Sequence, residues 1–200
     1  MTGTMAVAQR MTVAEFLDLP DERWTTLVEG EVVVNPPRDR HQIVAGELYF
    51  ALTLWCRDGA SRGQATLPLG VVLDARNYYE PDLLWFRDGR EPARRTASLQ
   101  PMPDIAVEIR SPSTWRFDIG PKKRRYEQYG LPELWLVDTV ADEVFVFRRS
   151  TPGATEFDIV LELGRGDALT SPQLPGFALA LDVLFGSRPP HEQPATPSSQ

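Results

Sequence analysis

The sequence predicts an α/β domain built around a mixed sheet with additional antiparallel strands. A long amphipathic segment from His41 to Arg57 repeats its apolar residues at the helical period. Three short runs rich in Val, Leu and Ile follow it, and a second helical segment then precedes the apolar run "ELWLVD". From His41 to Asp138 the predicted order is therefore helix, three strands, helix, strand.

The composition is typical of one compact domain. The 200 residues are 42% hydrophobic and 24% charged, which is enough for a single sizeable core. We predict that this domain spans residues 11–185, after an N-terminal extension at residues 1–10. Residues 186–200 are rich in Pro and Ser and have no apolar periodicity, which predicts a disordered tail.

The N-terminal part of the domain predicts a short helix followed by a hairpin. In "MTVAEFLDLP", Thr12 is the expected helix cap, Glu15 follows three residues later, and Pro20 ends the segment. The stretch "TTLVEGEVVV" predicts two short strands joined by a tight turn at Glu29 and Gly30. This hairpin leads into the long helix.

The middle of the chain predicts three strands after the long helix closes at Gly59. These runs are "QATLPLGVVLD", "EPDLLWF" and "DIAVEIR". Proline is tolerated in the first turn of a helix, so we predict a second helix from Pro121 to Tyr129 that stops at Gly130. A buried strand "ELWLVD" follows, then antiparallel strands "EVFVFRR" and "FDIVLELG", and "ALALDVLF" closes the fold.

Charge and cysteine content exclude several classes of protein. A formal charge of -7 and a pI near 4.9 argue against a protein that coats nucleic acid through overall electrostatics. The single cysteine, Cys56, excludes an intramolecular disulfide and a thiolate-cluster metal site. The sequence has no apolar run of about twenty residues and no apolar core of a secretory signal at its start. We therefore expect a soluble, cytoplasmic protein without membrane contact.

Two of the predicted strands carry a carboxylate among apolar residues. Asp82 lies in "EPDLLWF" and Glu108 lies in "DIAVEIR", where the two-residue pleat turns Glu108 away from the most apolar face. Half-buried carboxylates on neighbouring strands repel each other unless a cation lies between them. Mg²⁺ meets that need because it binds hard oxygen ligands, usually through one or two carboxylates.

A purely structural role is the alternative for each acid. Asp82 would then accept turn hydrogen bonds, and Glu108 would pair with Arg110 or another arginine. A second Pro-Asp dipeptide, which ends at Asp104, occurs before another predicted strand. Such dipeptides are common where strands begin, which weakens the case for Asp82 as a ligand.

Lys122 adds a cation to this picture. It is one of two lysines among 21 basic residues, and it shares a stripe of the second helix with Tyr126 and Tyr129. If this helix packs beside the strand of Glu108, the ammonium would hold an attacking water or stabilise developing phosphorane charge. A lysine that snorkels to solvent is the alternative.

Positive charge is concentrated between Arg110 and Arg125, in "RSPSTWRFDIGPKKRR". This stretch has one acidic residue, Asp118, and six basic residues, namely Arg110, Arg116, Lys122, Lys123, Arg124 and Arg125. Such a patch can hold a nucleic-acid backbone. A solvated, charged helix face is the alternative interpretation.

The residues above resemble a known family. The matching features are Asp82 in "EPDLLWF", Glu108 in "DIAVEIRSPST", the spaced residues Asp118, Lys122, Tyr126 and Gly130, and "PELWLVD". They are similar to the Uma-type "putative restriction endonuclease" family, and the resemblance covers most of the chain, most densely from Pro103 to Asp138. It implies membership of the PD-(D/E)XK nuclease superfamily, with a restriction-endonuclease-like core of helix, three strands, helix and strand around a Mg²⁺ site.

By position, the resemblance implies a metal site and a catalytic lysine. Asp82 and Glu108 would be catalytic ligands of Mg²⁺, or of Mn²⁺ in its place, with the main-chain carbonyl of Ile109 as a third ligand. The superfamily's lysine usually lies two residues after the glutamate, where this chain has Arg110. The resemblance implies that Lys122, on the following helix, takes that role.

The resemblance also implies supporting residues and one departure. His41 would contact phosphate or cap its helix, and a plain surface histidine is the alternative. A larger set would contact nucleic acid together with His41, namely Arg110, Arg116, Lys123 and Arg125. Glu29 and Tyr126 would support the site. Relatives commonly have a glutamate where this chain has Thr26. If that acid binds the metal or orients Lys122, its absence would make this copy slow or inactive.

The leading hypothesis is a Mg²⁺-dependent endonuclease that hydrolyses phosphodiester bonds of DNA. The alternative is a catalytically inactive nuclease-fold module that binds nucleic acid or protein, which Thr26 and the acidic net charge favour. A carboxylate-pair hydrolase such as a glycosidase would explain the acids without metal, but it leaves the basic helix unexplained. A homodimer would bury exposed apolar surface of the first helix or of the C-terminal strands.

Overall fold

The structure is a computed structural model that describes residues 10–20, 25–36, 38–92, 100–111 and 114–186. Its helical elements are α1 (Val13–Leu17), α2 (Asp39–Arg57), α3 (Trp115–Phe117), a π-helical turn (Asp118–Lys122), α4 (Lys123–Gln128) and α5 (Leu181–Phe185). Its strands are β1 (Thr25–Val28), β2 (Glu31–Val34), β3 (Gln64–Thr66), β4 (Val71–Asp74), β5 (Asn77–Tyr79), β6 (Leu83–Phe86), β7 (Ile105–Ile109), β8 (Glu133–Asp138), β9 (Glu143–Arg148), β10 (Ile159–Leu163), β11 (Ala168–Leu169) and β12 (Leu179–Ala180). Most of the residues predicted as the N-terminal extension and the C-terminal tail, 1–9 and 187–200, lie outside the described residues.

A mixed six-stranded sheet forms the centre of the fold. Its strand order is β10-β9-β8-β7-β6-β3, and within it β7 and β8 are parallel while the other neighbours are antiparallel. A smaller antiparallel sheet has the order β2-β1-β5-β4. In the large sheet Leu83 lies opposite Val107, and this register, extended by one residue, places Asp82 opposite Glu108. The two acids therefore enter from neighbouring strands.

Apolar side chains cover both faces of the central strands. On one face, Val44, Leu48 and Leu52 of α2 pack against strand residues that include Val107 and Trp135. On the other face, β7 and β8 pack against Tyr126 of α4 and against residues of the smaller sheet. Every residue of β6, β7 and β8 is buried, as expected for strands covered on both sides. A polar side chain in these strands therefore needs a partner inside the protein.

The predicted order of helix, three strands, helix and strand is observed in the large sheet as α2, β3, β6, β7, α3–α4 and β8. The prediction of one strand in "QATLPLGVVLD" is wrong, because β3 and β4 belong to different sheets. The chain leaves the large sheet between them, where Pro68 cannot donate a ladder hydrogen bond. The inserted β4–β5 pair joins the smaller sheet.

The predicted start of the second helix at Pro121 is wrong. Helical structure begins at Trp115, and Pro121 lies inside the π-helical turn. In a regular α-helix its ring would clash with the carbonyl of Phe117, four residues earlier, and the wider π turn relieves that crowding. The predicted inward position of Tyr129 is also wrong: α4 ends at Gln128, and Tyr129 is 39% exposed with its hydroxyl bonded to Asp74.

The first helix and the hairpin are confirmed. Thr12 and Glu15 form a reciprocal capping box at the start of α1. Glu29 and Gly30 both have positive φ, at 51° and 79°, which suits the tight turn between β1 and β2. The long helix begins two residues before His41, and none of the described helices is long and apolar enough to cross a membrane.

Candidate functional site

Asp82 is held at the entrance of β6 by the backbone of the neighbouring strand. Its Oδ2 accepts a hydrogen bond of 2.7 Å from the N–H of Ile109, the last residue of β7. Its Oδ1 lies 3.1 Å from Nε2 of His41, near the start of α2. The two atoms are close, but their alignment does not satisfy a hydrogen bond, so the contact is electrostatic. His41 is thus buried beside Asp82 and is not a plain surface histidine.

Glu108 is 3% exposed and faces the side of the sheet that α4 covers. Its Oε1 accepts a hydrogen bond of 2.8 Å from the hydroxyl of Tyr126, and its Oε2 lies 3.0 Å from Nζ of Lys122. The alternative pairing of Glu108 with Arg110 is wrong, because Arg110 binds Asp138 at 2.6 Å. The sequence therefore predicts the burial of Glu108 correctly, and Tyr126 contacts it as a neighbour in the site.

Lys122 lies in the interior, which overturns the snorkelling alternative. It is 4% exposed, and its Nζ lies 2.9 Å from Oδ1 of Asp118 as well as 3.0 Å from Glu108. Asp118 is a residue of the site that is not predicted from the sequence. The signal was available in the spacing of Asp118 and Lys122, because residues four apart on a helix are neighbours. Thr114 donates a hydrogen bond of 3.3 Å to the other oxygen of Asp118.

The cluster contains more negative than positive charge. Among the described residues, three carboxylates lie here with one ammonium: Glu108 and Asp118 contact Lys122, and Asp82 is close enough to Glu108 to affect its charge. Burial, together with the nearby Asp118 and Asp82, raises the pKa of Glu108 to about 8 in spite of Lys122. Burial also raises the pKa of Asp118 above its usual value. The cluster therefore retains a proton that a bound cation would displace.

Lys122 and Tyr126 keep their protons in this setting. Burial opposes the charged form of Lys122, but Asp118 and Glu108 outweigh it and raise the pKa of Lys122 above its usual range. Burial and the adjacent Glu108 raise the pKa of Tyr126 well above its usual value. Lys122 is therefore a permanent cation near neutral pH, and the Tyr126 hydroxyl is a permanent donor.

A small cavity lies beside the cluster. Its volume is about 40 Å³, and its lining includes His41, Asp82, Lys122 and Thr26. Thr26, at the position where the resemblance implies a glutamate, donates a hydrogen bond of 2.6 Å to the carbonyl of Tyr78 and brings no carboxylate here. Both ring nitrogens of His41, and Oδ1 of Asn35 in the same lining, are buried without a hydrogen-bond partner among the described residues.

Asp82 and Glu108 could hold a divalent cation: Asp82 lines the cavity together with Glu80, and Glu108 contacts Lys122, which also lines it. No group of three or more His, Cys, Asp or Glu side chains is set for a metal in the described part of the chain. Mg²⁺ does not require one, since it commonly uses one or two carboxylates and takes its other ligands from water and phosphate. The surplus negative charge, the unpartnered polar atoms and a cavity large enough for an ion or a water molecule all fit such a cation.

Glu29 lies apart from the cluster. Its carboxylate is 3.6 Å from Arg125 and 3.8 Å from Arg10, and none of its described contacts reaches Lys122. It therefore does not replace the carboxylate that Thr26 lacks. The supporting role predicted for Glu29 is not what its contacts indicate, because the β1–β2 turn directs it to surface arginines.

The basic residues from Arg110 to Arg125 do not form one surface. Lys122 belongs to the buried cluster, Arg110 pairs with Asp138, and Arg125 lies near Glu29 and Asp74. Lys123 lies over the ring of Phe147 at 4.5 Å. Arg116 and Arg124 remain exposed. Nucleic-acid contact by these residues stays a prediction, but as separate contacts and not as one patch.

Asp104 shows what a structural Pro-Asp pair looks like in this fold. Its carboxylate is fully buried and accepts hydrogen bonds from Arg90 at 2.6 Å and from the backbone N–H of Arg87 at 3.0 Å. The guanidinium of Arg87 is also 3.0 Å away. Asp104 is thus neutralised by two arginines, whereas Asp82 has only a backbone N–H and His41 among its described contacts.

Comparisons with known proteins agree with this fold. A crystal structure from Anabaena variabilis, described as "a putative nuclease belonging to DUF820", superposes with a TM-score of 0.74 at 21% identity, over 88% of this chain and 97% of that one. The "Uncharacterized protein slr1290" of Synechocystis is 26% identical over 167 residues, which cover 74% of this chain and 84% of that protein. The fold is therefore restriction-endonuclease-like, as predicted. The family model of Uma2, described as "Putative restriction endonuclease", matches residues 13–182, and the chain belongs to this family.

Proposed function

We propose that, within the nuclease-type function that its family supports, the protein is a Mg²⁺-dependent endonuclease that hydrolyses phosphodiester bonds of DNA. The observation that carries this proposal is a cluster of three carboxylates, in which Glu108 and Asp118 share the ammonium of Lys122 and Asp82 lines the same small cavity as Lys122. Such a surplus of buried negative charge is costly unless a cation is bound. A dication offsets it and brings hydrolytic chemistry to the same place.

The proposed ligands are Asp82 and Glu108, with the main-chain carbonyl of Ile109 as a third. Both oxygens of Glu108 already have a protein partner, but a carboxylate oxygen has a second lone pair that can bind a cation. When bound, Mg²⁺ would polarise the phosphoryl group and lower the pKa of an adjacent water. Asp82 is oriented for this role by Ile109 and His41.

The permanent positive charge of Lys122 limits the part that it can take in catalysis. Because its pKa is raised, its ammonium cannot accept a proton near neutral pH, which excludes it as a general base. It can donate a hydrogen bond to the attacking water or to an oxygen of the scissile phosphate, and thus stabilise the negative charge that develops there. Water oxygen then bonds to phosphorus and releases a proton to solvent, the bond to the leaving strand oxygen breaks, and that oxygen takes up a proton from solvent.

Asp118 acts in this proposal as a positioning residue for Lys122. It lies 2.9 Å from Nζ, and Thr114 restrains its other oxygen. A flexible side chain that is held from two sides loses little entropy when substrate binds, which favours catalysis. Tyr126 does the same for Glu108 through its hydroxyl.

Plasmid nicking tests the proposal. The wild-type protein should convert supercoiled to nicked DNA with Mg²⁺ or Mn²⁺ and should not cleave the DNA in EDTA. Asp82→Ala, Glu108→Ala and Lys122→Ala should each lower the rate at least a hundredfold, because each removes a ligand or the charge-stabilising donor. Equal cleavage by the wild-type protein and by Asp82→Ala and Glu108→Ala would refute the proposal.

An inactive member of the same fold is the second candidate. Two observations favour it: Thr26 brings no carboxylate to the cavity, and both oxygens of Glu108 are engaged within the protein. Such a module would retain DNA in EDTA with a steep dependence on salt and would not cleave it with any divalent metal. The nicking assay and a filter-binding assay on the same preparation separate the two candidates.

A further inference from the structure

A second pocket lies at the other end of the central strands. Its volume is about 520 Å³, within the range of pockets that bind small molecules. Arg87 follows β6, Asp104 precedes β7 and Glu133 begins β8, whereas Glu108 lies near the opposite end of β7. Four residues of extended chain separate Asp104 from Glu108, which corresponds to about 13 Å. This pocket is therefore distinct from the carboxylate cluster.

Among the described residues, the lining of this pocket is basic and contains no acidic side chain. Four arginines share it, namely Arg87, Arg90, Arg148 and Arg149, together with polar and apolar residues that include Ser150, Thr151 and Gln173. The whole protein has a formal charge of -7, so this concentration of arginine runs against the overall balance. A cavity of this kind attracts anions locally even on an acidic protein.

Two buried carboxylates behind the pocket wall hold three of the arginines that line the pocket. Asp104 and Glu133 are both fully buried, and neither lines the pocket. Asp104 holds Arg87 and Arg90, at 3.0 and 2.6 Å. Glu133 receives two hydrogen bonds of 3.0 Å from Arg148. These pairs orient three arginines before any ligand arrives, and such preorganisation reduces the entropic cost of binding.

The pocket keeps a net positive charge after the contacts of its arginines with Asp104 and Glu133 are taken into account. Arg149 donates to the carbonyls of Leu131, Ala154 and Glu127, and none of its described contacts is a carboxylate. Four guanidinium groups thus face two carboxylates. Arg87 is 61% exposed at its side chain, and its described contact through Nε leaves its terminal nitrogens available. A ligand with a phosphate group would match these donors, since arginine binds phosphate with charge-assisted hydrogen bonds.

The rest of the lining suits an apolar or aromatic body. Tyr129 has an exposed ring at the pocket, and Met102 and four prolines contribute apolar surface. Aromatic rings provide stacking surfaces for nucleobases, which arginine planes can supplement. The combination of arginine donors with an exposed aromatic ring favours a nucleotide over a simple inorganic anion.

We propose that this pocket binds a phosphate-bearing ligand of nucleotide size, either a free mononucleotide or one unit of a nucleic-acid strand. Arg87 would contact the phosphate, and Tyr129 would contact the base. The site does not depend on the proposed catalysis, because it shares no residue with the carboxylate cluster. Binding should therefore persist without divalent metal.

Calorimetric titration in EDTA tests this site with two probes, AMP and a 5′-phosphorylated single-stranded tetranucleotide. We expect saturable binding of at least one probe. Arg87→Gln should weaken it about tenfold, the change expected when one charge-assisted hydrogen bond is lost. Arg76→Gln, which removes an exposed arginine outside the pocket, and Asp82→Asn should bind as the wild type does. Binding of AMP indicates a mononucleotide site, and binding of the tetranucleotide alone indicates a strand site.

A second variant protects the test from a folding defect in Arg87→Gln. Thr151 is an exposed residue of the lining, so Thr151→Glu should fold normally and abolish binding by placing a negative charge at the pocket. The inference is overturned if neither probe binds, if Arg87→Gln and Arg76→Gln weaken binding equally, or if Thr151→Glu binds normally. Since metal and Asp82 are not needed, its failure is separate from a failure of the proposed nuclease activity.

Discussion

Glu108 is a buried carboxyl whose proton competes with any cation that binds beside it. Its pKa in the folded protein is about 8, against an ordinary value of 4.5. A raised pKa means that the folded state binds the proton more tightly than the unfolded state does. The contribution of this group to the free energy of unfolding is therefore greatest below about pH 4.5 and is lost as the pH rises through about 8.

The same proton makes metal affinity dependent on pH. Below pH 8 a cation must displace it, so we predict that Mn²⁺ affinity rises about tenfold per pH unit between pH 6 and pH 7.5 and then levels off. Calorimetry at several pH values, in buffers of different ionisation enthalpy, measures both the affinity and the release of about one proton. A flat affinity profile, or no proton release at pH 6.5, would contradict the charge assignment of Glu108.

Residue types and spacing predict most members of the carboxylate cluster, but they do not predict which carboxylates contact Lys122. Asp82, Glu108 and Lys122 are predicted because each is a charged residue among the apolar residues of a predicted strand or on the aromatic stripe of a predicted helix. Asp118 escapes prediction, because a carboxylate four residues from a lysine is common on solvated helix faces. Its burial depends on how the helix packs on the sheet, and local sequence does not specify that packing.

The π-helical turn is the element that delivers Lys122 to the cluster. It spans Asp118–Lys122 and joins α3 to α4 without a break. A π turn accommodates one residue more than a regular α-helical turn, and such turns are frequent at functional sites. The extra residue determines how the later residues of the helix are rotated about the helix axis. The sequence reveals Pro121 but not this turn, because proline at a helix start is the commoner case.

Removing one residue from this turn tests its role. Deletion of Gly120 should rotate Lys122 by about 100° about the helix axis, break its contacts with Glu108 and Asp118, and lower the nicking rate about a hundredfold. Gly120→Ala is the matched control, since an added Cβ there meets no atom within 4 Å. The control should cleave DNA and melt as the wild type does. Full activity in the deletion variant would show that the turn does not position Lys122.

The whole molecule has opposite chemistry at the two ends of its central sheet. Asp82 and Glu108 lie at one end with surplus negative charge, and Asp104 lies at the other end between arginines. Sequence alone presents Asp82 and Asp104 as equivalent, because each follows a proline and precedes a strand. The tertiary structure separates them: β6 and β7 are antiparallel, so the two strand entrances lie at opposite ends.

Metal binding by matched variants of these two aspartates is the most direct test of the proposed cation site. Asp82→Asn keeps an oxygen that can accept the hydrogen bond of Ile109 and loses only the charge, so the protein should remain folded. Asp104→Asn removes one partner of a buried ion-pair group and should lower the free energy of unfolding by about 3 kcal/mol. The variants thus separate the cation site from general stability.

The decisive measurement is a Mn²⁺ titration at pH 8, in which electron paramagnetic resonance detects the free Mn²⁺. We predict that the wild type and Asp104→Asn bind the ion with equal affinity, and that Asp82→Asn binds it at least tenfold more weakly although it is folded. Undiminished Mn²⁺ binding by Asp82→Asn, or no binding by the wild-type protein, would contradict a cation site between Asp82 and Glu108.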